Sequence, residues 1–114
     1  MLHADEFEDA VEFALGLVPE PFQGALAEVA ILIDDEAPAR YGRLYGLYEG
    51  VPLTHPESRG YGQLPPRITI YRRPLEQDFP DRQQLIRQIC VTVLHELGHH
   101  LGMSEAQLRE LGYG

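Results

Sequence analysis

Cysteine is almost missing from this sequence. Cys90 is the only one, so no intrachain disulfide can form and the disulfide-stapled class of small secreted domains loses its main support. Long apolar runs are missing too. At the N-terminus Asp5, Glu6, Glu8, Asp9 and Glu12 interrupt every apolar stretch, and no run approaches the length of a membrane span, so neither a signal peptide nor a membrane segment is expected. Positive charge is scarce: 9 basic residues face 18 acidic ones, for a formal charge of −9. Such a surface repels phosphate backbones and anionic lipid heads, which sets aside nucleic acid and membranes as partners. No low-complexity stretch, internal repeat or linker interrupts the chain. The expectation is therefore one cytoplasmic domain spanning 1–114, a length able to bury a sizeable core at 44% hydrophobic residues.

What is present reads as helix, mixed strand and loop, then helix. Phe7, Ala10, Val11, Ala14, Leu15 and Val18 recur at three- and four-residue spacing, which predicts an amphipathic helix from Asp5 to about Leu17, stopped by Pro19 and Pro21. Glu28 to Ile33 is β-branched and almost continuously apolar, as in a buried strand. Leu44 to Tyr48 is a second candidate strand, and Arg67 to Tyr71 alternates with period two like a half-buried third. Between them Gly50, Pro52, Pro56, Gly60, Gly62, Pro65 and Pro66 make a long loop, a feature more often functional than idle. Asp81 with Gln84 resembles a capping box opening a helix to Leu101. Gly102 stops that helix, and Ser104 with Gln107 opens a short one ending at Gly112.

Residues 95–99 read His-Glu-Leu-Gly-His. Positions four apart on a helix lie one turn above each other, so the two imidazoles can reach one metal ion. On a helical wheel Gln88, Thr92, His95 and His99 share a polar strip opposite an apolar arc that contains Leu85, Ile89, Cys90, Val93 and Leu97. Glu96 falls about 60° from His99, off the ligand positions but near them, where a base beside a metal-activated water would stand. Catalytic zinc takes three protein ligands. Glu105 is the choice for the third, because Gly102 can adopt the left-handed conformation that turns the chain back toward the metal; Glu110 is the reserve. With five His and twelve Glu in the chain, a bare accidental match is expected roughly 0.02 times, and roughly 0.0003 times once the glycine and the distal acid are required.

The run His95 to Glu105 resembles the metzincin signature and, more closely, a small bacterial zincin-like metallopeptidase family with the pattern His-Glu-x-x-His-His-x-Gly-x-Ser-Asp/Glu. The likeness extends to Gly46–Leu53, Leu64–Pro74 and Leu111-Gly112-Tyr113. The resemblance implies an α+β fold, a minimal zincin whose motif helix packs on a small mixed sheet. It also implies one zinc ion on His95, His99 and Glu105, with Glu96 as catalytic base in the hydrolysis of a peptide or protein. Metzincins have histidine where Glu105 stands, and only nine residues follow it. The metzincin C-terminal subdomain is thus expected to be absent, leaving a cleft that is shallow or built by the loop from Glu49 to Pro66. The rival expectation is a non-catalytic metal-binding or interaction domain that keeps the site.

Among the remaining residues, His100 points about 100° from His99 and suits a buried polar role. Cys90 reads as a core thiol, and His3 and His55 as solvated. Asp34, Asp35 and Glu36 read as a solvated strand end in preference to a calcium loop. Tyr48, Tyr71 and Tyr113 are candidate oxyanion donors. Arg72 and Arg73 read as surface charge on an outward strand end, with a substrate carboxylate as the alternative partner.

Overall fold

A computed structural model describes residues 4–50 and 65–113. His3, His55 and most of the loop expected to bind substrate lie outside the described residues. Helix α1 (Ala4–Gly16) carries Asp5 and Glu6 in its first turn, where carboxylates favour the helix dipole. It buries Phe7, Ala10, Val11 and Ala14 against α4 (Arg82–His100). A single-turn helix α2 (Phe22–Ala25) leads into strand β1 (Ala30–Asp34). Strands β2 (Gly46–Glu49) and β3 (Arg67–Tyr71) follow, then α3 (Arg72–Asp78), α4 and α5 (Glu105–Glu110).

The sheet is mixed and three-stranded in the order β1-β3-β2, with β1 parallel and β2 antiparallel to β3. The fold is α+β. Because β3 is the middle strand, it is buried from Ile68 through Tyr71 on both of its faces, more deeply than a half-buried alternation predicts. Strand β1 is the reverse case. It is an edge strand whose Leu32 and Ile33 stay 46% and 39% exposed, so the expectation of a buried strand there is corrected. An apolar run alone does not tell an edge from a centre, and no described helix covers that side of β1.

Helix α3 was not anticipated. Its Pro74 occupies the first turn, where a missing N–H has no intrahelical partner to lose. Arg72 and Arg73 open this helix instead of ending a strand: Arg72 pairs with Asp35 at 2.8 Å and with buried Glu76 at 2.6 Å, and Arg73 pairs with Glu36 at 3.3 Å. At the far end of α3, Asp78 receives hydrogen bonds from Arg43 and from the Tyr45 phenol, which hold its carboxyl down to about 2. These pairs tie α3 to the end of β1 and to the approach to β2.

Candidate metal centre

Helix α4 starts as its sequence predicts, with Asp81 accepting from the Gln84 N–H at 3.0 Å. Leu85, Ile89, Val93 and Leu97 fill the core. The polar strip is less open than a wheel implies, because β2 lies across it. Thr92 is 6% exposed, and a Cβ on Gly46 would stand 2.7 Å from its methyl carbon, so glycine at 46 is what allows the close approach. Cys90 is only partly buried, at the margin of the core, and that burial pushes its thiol up.

The turn after α4 follows the expected chemistry. Gly102 has φ +78, the left-handed conformation that reverses the chain. Ser104 and Gln107 form a complete capping box at 3.1 and 2.7 Å, which fixes the start of α5 and the direction of Glu105. Leu108, fully buried, sits where a side chain at Gly98 would be, so the glycine inside the His-Glu-Leu-Gly-His motif is the notch that seats α5 on α4.

This arrangement brings Glu105 onto both histidines. Its Oε1 lies 3.4 Å from His95 Nε2 and 3.2 Å from His99 Nε2, and the imidazole ring centroids are 4.9 Å apart. Four atoms bound tetrahedrally to zinc at about 2.05 Å lie about 3.3 Å from one another, so this donor set fits that ion. The Nδ1 of His95 is 2.8 Å from the Tyr113 carbonyl, which can only accept. Nδ1 therefore carries the proton, and Nε2 keeps its lone pair on the side of Glu105. This orienting contact was not visible in the sequence, because a backbone carbonyl has no side-chain signature.

Glu96 stands next to this set without the same closure. Ligand atoms of His95, Glu96 and His99 also lie within 4.8 Å of one another. Yet the Glu96 Oε1 accepts a hydrogen bond of 2.8 Å from the Tyr48 backbone N–H. The register explains why that N–H is free to give: Tyr71 N–H donates to the Tyr45 carbonyl, so residues 46 and 48 turn their backbone polar groups away from β3, toward α4. Burial raises the Glu96 carboxyl above its ordinary value, against the pull of His99 and of the Tyr48 N–H. Two carboxylates thus face the histidines, and Glu105 has the shorter distances to both Nε2 atoms. Glu110, the reserve, ends the exposed side of α5.

His100 is 1% exposed and turned away from this centre, its Nδ1 2.8 Å from the Tyr48 hydroxyl and its Nε2 3.2 Å from Glu28. A buried polar role is what the structure gives it. Of the three tyrosines considered, Tyr71 lies on the opposite side of the sheet beside Leu32 and Tyr48 is bonded to His100; only Tyr113 lines the 310 Å³ cleft with His95 and Glu96.

The sequence matches the model of the zincin-like metallopeptidase family over residues 26–114. The chain belongs to the zincin-like metallopeptidase family. No curated protein matches it. The matched region contains the sheet, α3, α4 and α5, and leaves α1 outside. No described helix is long and apolar enough to cross a membrane.

Proposed function

We propose that this chain is a single-domain, zinc-dependent peptidase that hydrolyses an amide bond in a peptide or protein, with one ion held by His95, His99 and Glu105. The observation that carries this reading is the closure of the Glu105 carboxylate onto both Nε2 atoms, with Glu96 held apart by the Tyr48 N–H. Zinc bound there would supply Lewis acidity, polarising the scissile carbonyl and acidifying the attacking water. The chain supplies the proton handling. Glu96, its carboxyl raised by burial, takes a proton from the water and returns it to the departing amine. The Tyr48 N–H keeps one carboxylate oxygen fixed during both transfers. The Tyr113 carbonyl keeps the His95 ring from turning.

The test is Glu96→Gln, which keeps the size of the side chain and leaves the three ligands in place. Zinc affinity should stay within a few-fold, while cleavage of a peptide found by library screening should fall by roughly 100- to 10,000-fold. Unchanged cleavage with zinc retained would reject the role of Glu96. A library that yields no cleavage by zinc-loaded protein would favour the non-catalytic metal-binding domain.

A further inference from the structure

Besides the metal cleft, the surface carries a groove of 690 Å³ between α1 and α4, floored by Ile86, Cys90 and Leu94 and walled by Phe13 and Leu17. Phe13 is 58% exposed and Leu17 53%, so two large apolar side chains stand side by side in water. Arg82 and Arg87 line the same groove. In a chain with twice as many acids as bases, Arg43, Arg67, Arg72 and Arg73 are all in ion pairs and Arg40 lies over the Tyr41 ring. Arg82, Arg87 and Arg109 make no ion pair among the described residues, and of these Arg82 and Arg87 line the groove. The groove adjoins the metal cleft, with Val91 and Tyr113 lining both.

We propose that this groove binds a segment of the peptide substrate in which large apolar side chains alternate with carboxylates, and so sets which peptides reach the metal cleft. The proposal rests on the peptidase reading above for its second half; the first half, peptide binding, stands on the groove itself. Three features select the occupant. Apolar walls take apolar side chains, and two guanidiniums with no ion pair among the described residues take carboxylates, often two-pronged. A basic segment meets the same arginines as repulsion. Adjacency to the cleft lets the occupant be part of the chain being cut. Along α4 at 1.5 Å per residue, Arg87 is about 12 Å and Arg82 about 20 Å from His95. An extended peptide advances about 3.3 Å per residue, which puts the preferred carboxylates about four and about six residues from the bond at the metal. Phe13 on α1 and Leu17 in the turn just after it lie outside the region matched by the family, so this preference would be specific to chains carrying such a helix.

The experiment uses full-length, zinc-loaded Glu96→Gln protein and fluorescein-labelled peptides about ten residues long, enough to reach from Arg82 to His95 at the same rise. One peptide carries Leu-Glu-Phe-Glu-Leu beside a neutral Ala-Gly-Ser stretch, in either order; a second has Lys for each Glu, and a third has Ser for Leu and Phe. The acidic-apolar peptide should bind about 10-fold more tightly than either control. Arg82→Glu with Arg87→Glu should invert the preference between Glu and Lys, and Phe13→Ser with Leu17→Ser should weaken all apolar peptides. Equal binding of the three peptides overturns the proposal, as does a preference that charge reversal leaves unchanged. So does sedimentation showing that a second copy of the chain occupies the groove, or binding that appears only after residues 1–3 are removed. Cleavage by unsubstituted protein without regard to the acidic-apolar stretch would overturn the groove and leave the peptidase intact. Selective binding without cleavage would uphold the groove and overturn the peptidase.

Discussion

At the scale of single residues, two carboxylates near one pair of histidines carry different expectations. Glu105→Ala should weaken zinc binding by more than about 100-fold, past the 10–100-fold typical of losing an outer-shell partner, whereas Glu110→Ala should leave it unchanged. A chelator-competition titration ranks the two, and the reverse order would move the third ligand to Glu110. Glu96 has a signature of its own in metal-free protein. Burial raises its carboxyl in the folded state above the ordinary glutamate value of 4.5, so between that value and the folded one the native state binds more protons than the unfolded. Stability therefore falls as pH rises through that window. Glu96→Gln removes the buried charge, so the metal-free variant should melt higher than the metal-free parent at pH 7, with the difference closing as pH falls below about 4.5. Thermal scans across pH read this directly; a variant that melts lower at pH 7 would mean that the Tyr48 N–H outweighs the burial of the charge.

At the scale of elements, the site depends on how α5 seats on α4. A methyl at Gly98 would collide with fully buried Leu108 and push α5 outward, carrying Glu105 with it. Gly98→Ala should then cost about 1–3 kcal/mol of stability and also weaken zinc binding. Leu108→Ala, which leaves a cavity in place of the clash, should cost about 2–5 kcal/mol. Combining the two substitutions should recover part of each loss, as coupled neighbours do, and strict additivity in denaturant melts would refute the notch. Much of this arrangement was legible in the sequence. The helix of the motif, the Gly102 turn, the Ser104–Gln107 box and the direction of Glu105 follow from local rules, because spacing and capping chemistry act within a few residues. What was not legible depends on partners distant in sequence. Leu32 and Ile33 look like a core strand until β1 proves to be an edge. Thr92 reads only as part of a polar strip until Gly46 brings β2 across it. Helix α3 was hidden because Arg72-Arg73-Pro74 carries no capping side chain, its support coming from Asp35 and Glu36 far upstream.

For the whole molecule, the question is whether metal stabilises the fold through a specific site or through a surface that is simply acidic. A formal charge of −9 attracts any cation, and screening alone would raise the melting temperature of such a chain in salt. Zinc at the proposed site would act differently. Helix α5 has six residues, too few to be stable by itself, and an ion held by His95 and His99 on α4 and by Glu105 on α5 would link the two helices. At free zinc about 100-fold above its Kd, the native state should gain about 2.7 kcal/mol, which for a chain of this length is on the order of 10 °C in melting temperature. Chelation should remove that gain and zinc should restore it. Magnesium and calcium at equal ionic strength should not, since they prefer all-oxygen ligands to a pair of imidazoles. Thermal melts with each ion, repeated on Glu105→Ala, separate the two cases: a rise that is equal for zinc and magnesium, or one that survives the loss of Glu105, would assign the effect to surface charge and not to the site.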